Sequence, residues 1–123
     1  MKTATVNEEI RNDVAILTVD HIPMCRADLA PLHNRVAWLA RRGVTRIVLD
    51  LSSLKWFGAT MLGELVSNQQ ELQSAGGDLR LACPSGRIGK ILSVTQLSDR
   101  FRTFQTADRA VASFGKQAAI QAA

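Results

Sequence analysis

Residues Arg46 to Gly77 constrain this chain more than any other stretch, because they join a run suited to an interior strand to a segment with helical periodicity. Ile47-Val48-Leu49-Asp50-Leu51 carries β-branched and leucine side chains so densely that both faces of the strand should be covered, the pattern of an interior parallel strand. After a connection from Ser52 to Ala59, Leu62, Leu65, Val66, Gln69 and Leu72 recur at spacings of three and four. That spacing predicts a helix with one almost wholly apolar stripe and with Glu64, Ser67, Asn68, Gln70 and Glu71 toward solvent. Gly76-Gly77 stops the helix, since glycine accepts the left-handed geometry of a C-cap, and Asp78 to Cys83 starts a new strand. The whole reads as half of a βαβ unit.

The rest of the chain extends this order. Thr3 to Glu9 and Val14 to Val19 read as two strands around a polar turn at Arg11-Asn12-Asp13. His21-Ile22-Pro23-Met24 breaks the pattern, and a helix is expected from an N-cap near Asp28, with Pro31 in its first turn and Leu29, Leu32, Val36 and Leu39 as its buried stripe. Arg42-Gly43 ends it. His33 lies off that stripe and reads as a solvated helix residue; Trp38 also lies off it, either widening the buried face or exposed at a contact surface.

Beyond the central unit, Ile88, Ile91, Leu92 and Thr95 define a short helix. A strand near Thr103 to Gln105 and a last helix capped by Thr106, with Ala107, Ala110, Val111 and Phe114, complete the chain, and residues 116–123 form an alanine-rich tail that extends the helix or frays. The predicted order is β-β-α-β-α-β-α-β-α: one α/β domain over 1–123, with a mostly parallel mixed sheet, an N-terminal antiparallel hairpin and about four helices.

Composition narrows the function classes. At 123 residues the chain suits one domain, and 46% hydrophobic with 21% charged residues is the balance of a soluble globular protein. No segment approaches the roughly 20 continuous apolar residues of a membrane span, and Met1 to Glu9 does not read as a signal peptide, so a cytoplasmic setting is expected. The net charge of +4 is scattered, densest at Arg41-Arg42 with Arg46, and tyrosine is absent; surface charge explains this better than direct nucleic-acid binding, while acidic protein partners stay compatible. Cys25 and Cys83 read as small apolar residues, and Cys25 with His21 matches no metal or redox spacing. No metal and no cofactor are expected.

Catalytic motifs are missing: the chain has no phosphate-binding glycine loop, nucleophile elbow or paired zinc histidines. Asp50, alone among the acids in lying within a buried-looking strand, suits a hydrogen-bond acceptor at a strand end. Ser85-Gly86-Arg87 opens a helix and could attract an anion there, though capping alone explains such a start. An enzyme is not expected.

Leu49-Asp50-Leu51-Ser52, Leu62-Gly63 and Gly76-Gly77-Asp78-Leu79-Arg80-Leu81 resemble, without a gap, the STAS domain shared by anti-sigma factor antagonists and the cytoplasmic ends of sulfate transporters. The element order fits nearly the whole chain, with residue similarity concentrated in Arg46 to Pro84. Where that family reads D-S-[ST]-G, this chain carries Gly58, Ala59, Thr60 and Met61. The resemblance implies that the first serine, a phosphate acceptor in phosphorylated members, is replaced by Ala59. Thr60 matches the second hydroxyl and reads as the helix N-cap or as a displaced phosphoacceptor.

The resemblance further implies a regulatory, non-enzymatic domain in signal transduction and transcription regulation that docks on an anti-sigma factor or a serine/threonine kinase-like protein. Lys55, Trp56, Thr60, Met61 and Glu64 form the expected contact surface, with Phe57 assigned to the core and Trp56 open between core and anchor. Two alternatives stand beside it: a STAS accessory subunit of a lipid-transport ABC complex, and a nucleotide-binding protein using the turn from Pro84 to Arg87. Self-association is left open.

Overall fold

A computed structural model describes residues 6–20, 29–54 and 57–122, with side chains described as far as Phe114. The elements are β1 (Val6–Arg11), β2 (Val14–Val19), α1 (Ala30–Arg41), β3 (Arg46–Asp50), α2 (Ala59–Ser74), β4 (Asp78–Ala82), α3 (Gly86–Val94), β5 (Thr103–Phe104) and α4 (Ala107–Ala122). They follow the order expected from the periodicity. One five-stranded sheet runs β1-β2-β3-β4-β5, antiparallel between β1 and β2 and parallel thereafter.

The hairpin differs from the expected one at its first strand. Asn12 and Asp13 both take positive φ, 53° and 65°, the geometry of a two-residue turn whose twist matches its strands, so β1 runs on to Arg11 opposite Val14. Thr3 to Thr5 lie outside the described residues. Asp28 does too; the described helix begins at Ala30 with Leu29 before it and Pro31 in its first turn, where no amide hydrogen is missed.

The alternation of side chains along the strands divides the core in two. Ala15, Leu17 and Val19 of β2, Ile47 and Leu49 of β3 and Leu79 and Leu81 of β4 meet α1, α2 and α3 on one face. On the other, Val14, Ile16, Val48 and Ala82 pack against Ala110, Val111 and Phe114 of α4. β3 is therefore covered on both sides, as its composition demands. The α1 stripe of Leu29, Leu32, Val36 and Leu39 is fully buried, and on the surface Arg35 of α1 pairs with Glu8 of β1. Trp38 is partly exposed, with the guanidiniums of Arg35 and Arg42 4.2 and 4.3 Å from its ring centre.

The expected stripe of α2 is corrected along one flank. Met61 and Asn68 are buried with Leu65, Gln69 and Leu72, whereas Leu62 and Val66 are only partly covered. The buried surface is set by where α1 and the sheet lie, and it is rotated toward Met61. Asn68 is 1% exposed, and its Oδ1 has no hydrogen-bond partner among the described residues. An unsatisfied buried acceptor costs about 1–3 kcal/mol. Asn68→Leu, similar in shape and free of that acceptor, is expected to raise stability by about 1 kcal/mol in urea denaturation; unchanged or lower stability would show that Oδ1 is satisfied.

Candidate functional site

The amino end of α2 is built by the connection that follows β3. Asp50 Oδ1 accepts the Ser52 amide at 2.9 Å, Leu51 donates its amide to the Ala82 carbonyl at 2.8 Å, and Leu54 donates to the Leu51 carbonyl at 3.0 Å. Asp50 is thus a strand-end acceptor. Leu51, Leu54 and Phe57 recur at every third position and are all buried, so this connection is anchored in the core by three apolar side chains. Phe57 is a core residue, as expected. Lys55 and Trp56 lie outside the described residues.

Gly58, in extended conformation, is the N-cap of α2 and offers no side-chain hydrogen bond; its carbonyl accepts the Leu62 amide at 3.2 Å. This corrects the expectation that Thr60 caps the helix. Thr60 sits inside the first turn, too far along for its hydroxyl to reach back over the helix end, and it is half-buried. Ala59, the first helical residue, is exposed. An uncapped amino terminus presents orphan amide hydrogens and the positive pole of the helix dipole beside Ala59.

Two more expected contact residues are relocated. Met61 is fully buried and belongs to the core instead of the surface, because the α2 stripe turns toward it. The Glu64 side chain is 11% exposed and its Oε2 lies 3.1 Å from His33 Nδ1 on α1. His33 is therefore a half-exposed partner of Glu64, a cross-helix pair that sequence spacing along either helix does not reveal. Of the expected surface, Thr60 and the edge of Glu64 come together beside Ala59 at one helix end.

Ser85 caps α3, its Oγ accepting the Ile88 amide at 3.2 Å, with Gly86 and Arg87 exposed beside it. Cys83 closes β4 with φ 56°, and burial together with the nearby Asp50 carboxylate pushes its thiol above the usual range, which disfavours the thiolate. Cys25 and His21 lie outside the described residues. Among the described residues no three histidine, cysteine, aspartate or glutamate side chains gather as metal ligands, and no helix is long and apolar enough to cross a membrane.

These features define a small α/β domain whose distinguishing surface is an exposed, uncapped helix terminus at the carboxyl edge of a mixed sheet. The chain belongs to the STAS domain family, whose model matches residues 3–110. It is 26% identical over 107 residues, covering 84% of this chain and 91% of the relative, to a candidate anti-sigma factor antagonist of Thermotoga neapolitana. The crystal structure of a candidate anti-sigma factor antagonist from Thermotoga maritima superposes with a TM-score of 0.75 at 24% identity, over 88% of this chain and 92% of that one. The antagonist SpoIIAA in its unphosphorylated form superposes with a TM-score of 0.77 at 14% identity, over 91% and 97% of the two chains. The phosphorylated form from Bacillus gives 0.69 at 15% identity, over 89% and 99%.

Proposed function

We propose that this protein is a non-enzymatic regulatory module of the anti-sigma factor antagonist kind, acting in the cytoplasm by docking the amino end of α2 on an anti-sigma factor or serine/threonine kinase-like partner. The observation that carries this reading is the exposure of Ala59 on the first turn of α2; the motif resemblance matches this residue to the first serine of the family's D-S-[ST]-G. SpoIIAA is known in phosphorylated and unphosphorylated forms. In such a protein a phosphate on the motif serine would place nearly two negative charges on the docking face and repel a complementary surface. Alanine has no oxygen to accept the group, so here the face is not gated at that position. Thr60 carries the single hydroxyl of the first turn, and it is half-buried between the exposed Ala59 and the buried Met61.

The test uses the full chain with the purified kinase-type anti-sigma factor of the same organism. Calorimetry is expected to show one-to-one binding, and Ala59→Glu is expected to weaken it by at least about tenfold. A carboxylate at the first turn favours the helix by about 0.3–1 kcal/mol, so the variant should melt no lower than the parent and its weakened binding cannot be blamed on unfolding. Incubation with the kinase and ATP is expected to leave the intact mass unchanged. No binding, or binding indifferent to Ala59→Glu, removes the docking face from the end of α2; one added phosphate, abolished by Thr60→Ala, moves the switch to Thr60.

A further inference from the structure

The outer face of α1 combines an open indole with positive charge that no acid of the same helix opposes. Trp38 is 36% exposed, which sets it apart from the buried large apolar side chains of the core. Its ring carries a guanidinium from each neighbouring turn, Arg35 at 4.2 Å and Arg42 at 4.3 Å from the ring centre. Asn34 and Arg41 lie one turn to either side of it on the same exposed strip.

Residues 30–42 contain no aspartate or glutamate. The acids that reach this helix from its neighbours are engaged on its flanks, Glu8 of β1 with Arg35 and Glu64 of α2 with His33. Arg41 and Arg42 form no ion pair among the described residues. A cation in the last turn offsets the negative pole of a helix, which accounts for Arg41 but not for a guanidinium drawn over an indole. A stacked arginine keeps N–H groups free at the rim of its plane, where a carboxylate can accept two of them, and the ring orders it before any partner arrives. A lipid surface fits this face less well. It calls for a broad apolar stripe, whereas the other open apolar side chains, Ile10 and Val94, sit on β1 and α3.

We propose that this face is a second docking site, whose occupant is an acidic segment of a protein partner. Carboxylates of the segment meet Arg41 and Arg42, and one apolar side chain covers the open edge of Trp38. Tryptophan and arginine are the residues that most often dominate interface energy once surrounding contacts exclude water. Arg41 and Arg42 close α1 just before β3 begins, whereas Ala59 follows the carboxyl end of β3. The two faces therefore lie toward opposite edges of the sheet, and occupation of one stands or falls apart from the other.

The test is a titration of the full chain, followed by amide and indole proton–nitrogen spectra, with a short peptide of glutamates bearing one central leucine. Saturable shifts centred on the Trp38 indole and on the amides of residues 38–42 are expected, the indole signal being assigned from Trp38→Phe. Trp38→Ala should weaken binding at least about tenfold. Arg42→Gln, a substitution at an exposed position that the fold tolerates, should weaken it about fivefold. The same peptide with glutamine in place of glutamate should not bind, and Arg87→Gln on α3 and Ala59→Glu on α2 should leave the affinity unchanged. Linear shifts, an equal loss with Arg87→Gln, or saturable binding indifferent to Trp38→Ala and Arg42→Gln would overturn the site. Sedimentation with phosphatidylglycerol vesicles that depends on Trp38, without peptide binding, would overturn it in favour of a lipid surface.

Discussion

Gly77→Ala is expected to destabilise the fold by about 3 kcal/mol or more, beyond the usual range for an overpacked methyl group. A β-carbon there would lie 1.9 Å from the Thr45 carbonyl oxygen and 2.4 Å from its carbon, both of them backbone atoms that cannot rotate aside. The same carbonyl accepts the Asp78 amide at 3.0 Å, so relieving the clash would pry apart the first rung of the β3–β4 ladder. The neighbouring glycine separates this cause from backbone conformation. Gly76 takes φ 88° but has open space around it, and it closes α2 by donating to Gln73 while Gly77 donates to Leu72. Gly76→Ala should therefore lose only the left-handed penalty of about 1–2 kcal/mol. Urea denaturation of both variants checks the ranking, and a smaller loss at Gly77 than at Gly76 would contradict the close approach to Thr45.

Phe57→Ala is expected to cost about 3–5 kcal/mol, the range for removing a buried aromatic side chain. Phe57 is 1% exposed and is the last of the three apolar anchors before Gly58, so the cavity left behind opens directly under the start of α2. Stability and partner binding should fall together, because the proposed docking face loses the support that aims it. A stability loss below about 1 kcal/mol combined with lost binding would instead make Phe57 a contact for the partner.

The central unit was readable because its signals are local. The β3 run, the α2 spacing and the paired glycines each act within a few residues, and α2, β4 and the hairpin turn lie where those signals place them. The capping of α4 by Thr106, whose Oγ1 accepts the Arg109 amide at 3.1 Å, belongs to the same class. The errors fall on the flanks of α2. Leu62 and Val66 are as apolar as Met61, so hydrophobicity along the helix cannot rank them; the positions of α1 and the sheet do. The amide of Asn68 points to solvent exposure by its polarity, yet the same packing encloses it. Thr60 looked like a cap because hydroxyl residues favour helix starts, whereas the buried Phe57 fixes the chain so that the helix begins one residue after Gly58.

The sequence by itself determined the order of elements, the two-sided cover of the sheet and the absence of a hydroxyl at Ala59, since periodicity, turn chemistry and residue identity are written along the chain. Only the tertiary structure decided that Ala59 is exposed while Met61 is buried, that Glu64 turns to His33, and that Arg80 is buried between Asp78 of its own strand and Ser113 of α4. Those facts depend on distances between segments far apart in the chain, and they arise only once the parallel ladder sets β3 beside β4 and the helices settle on its two faces.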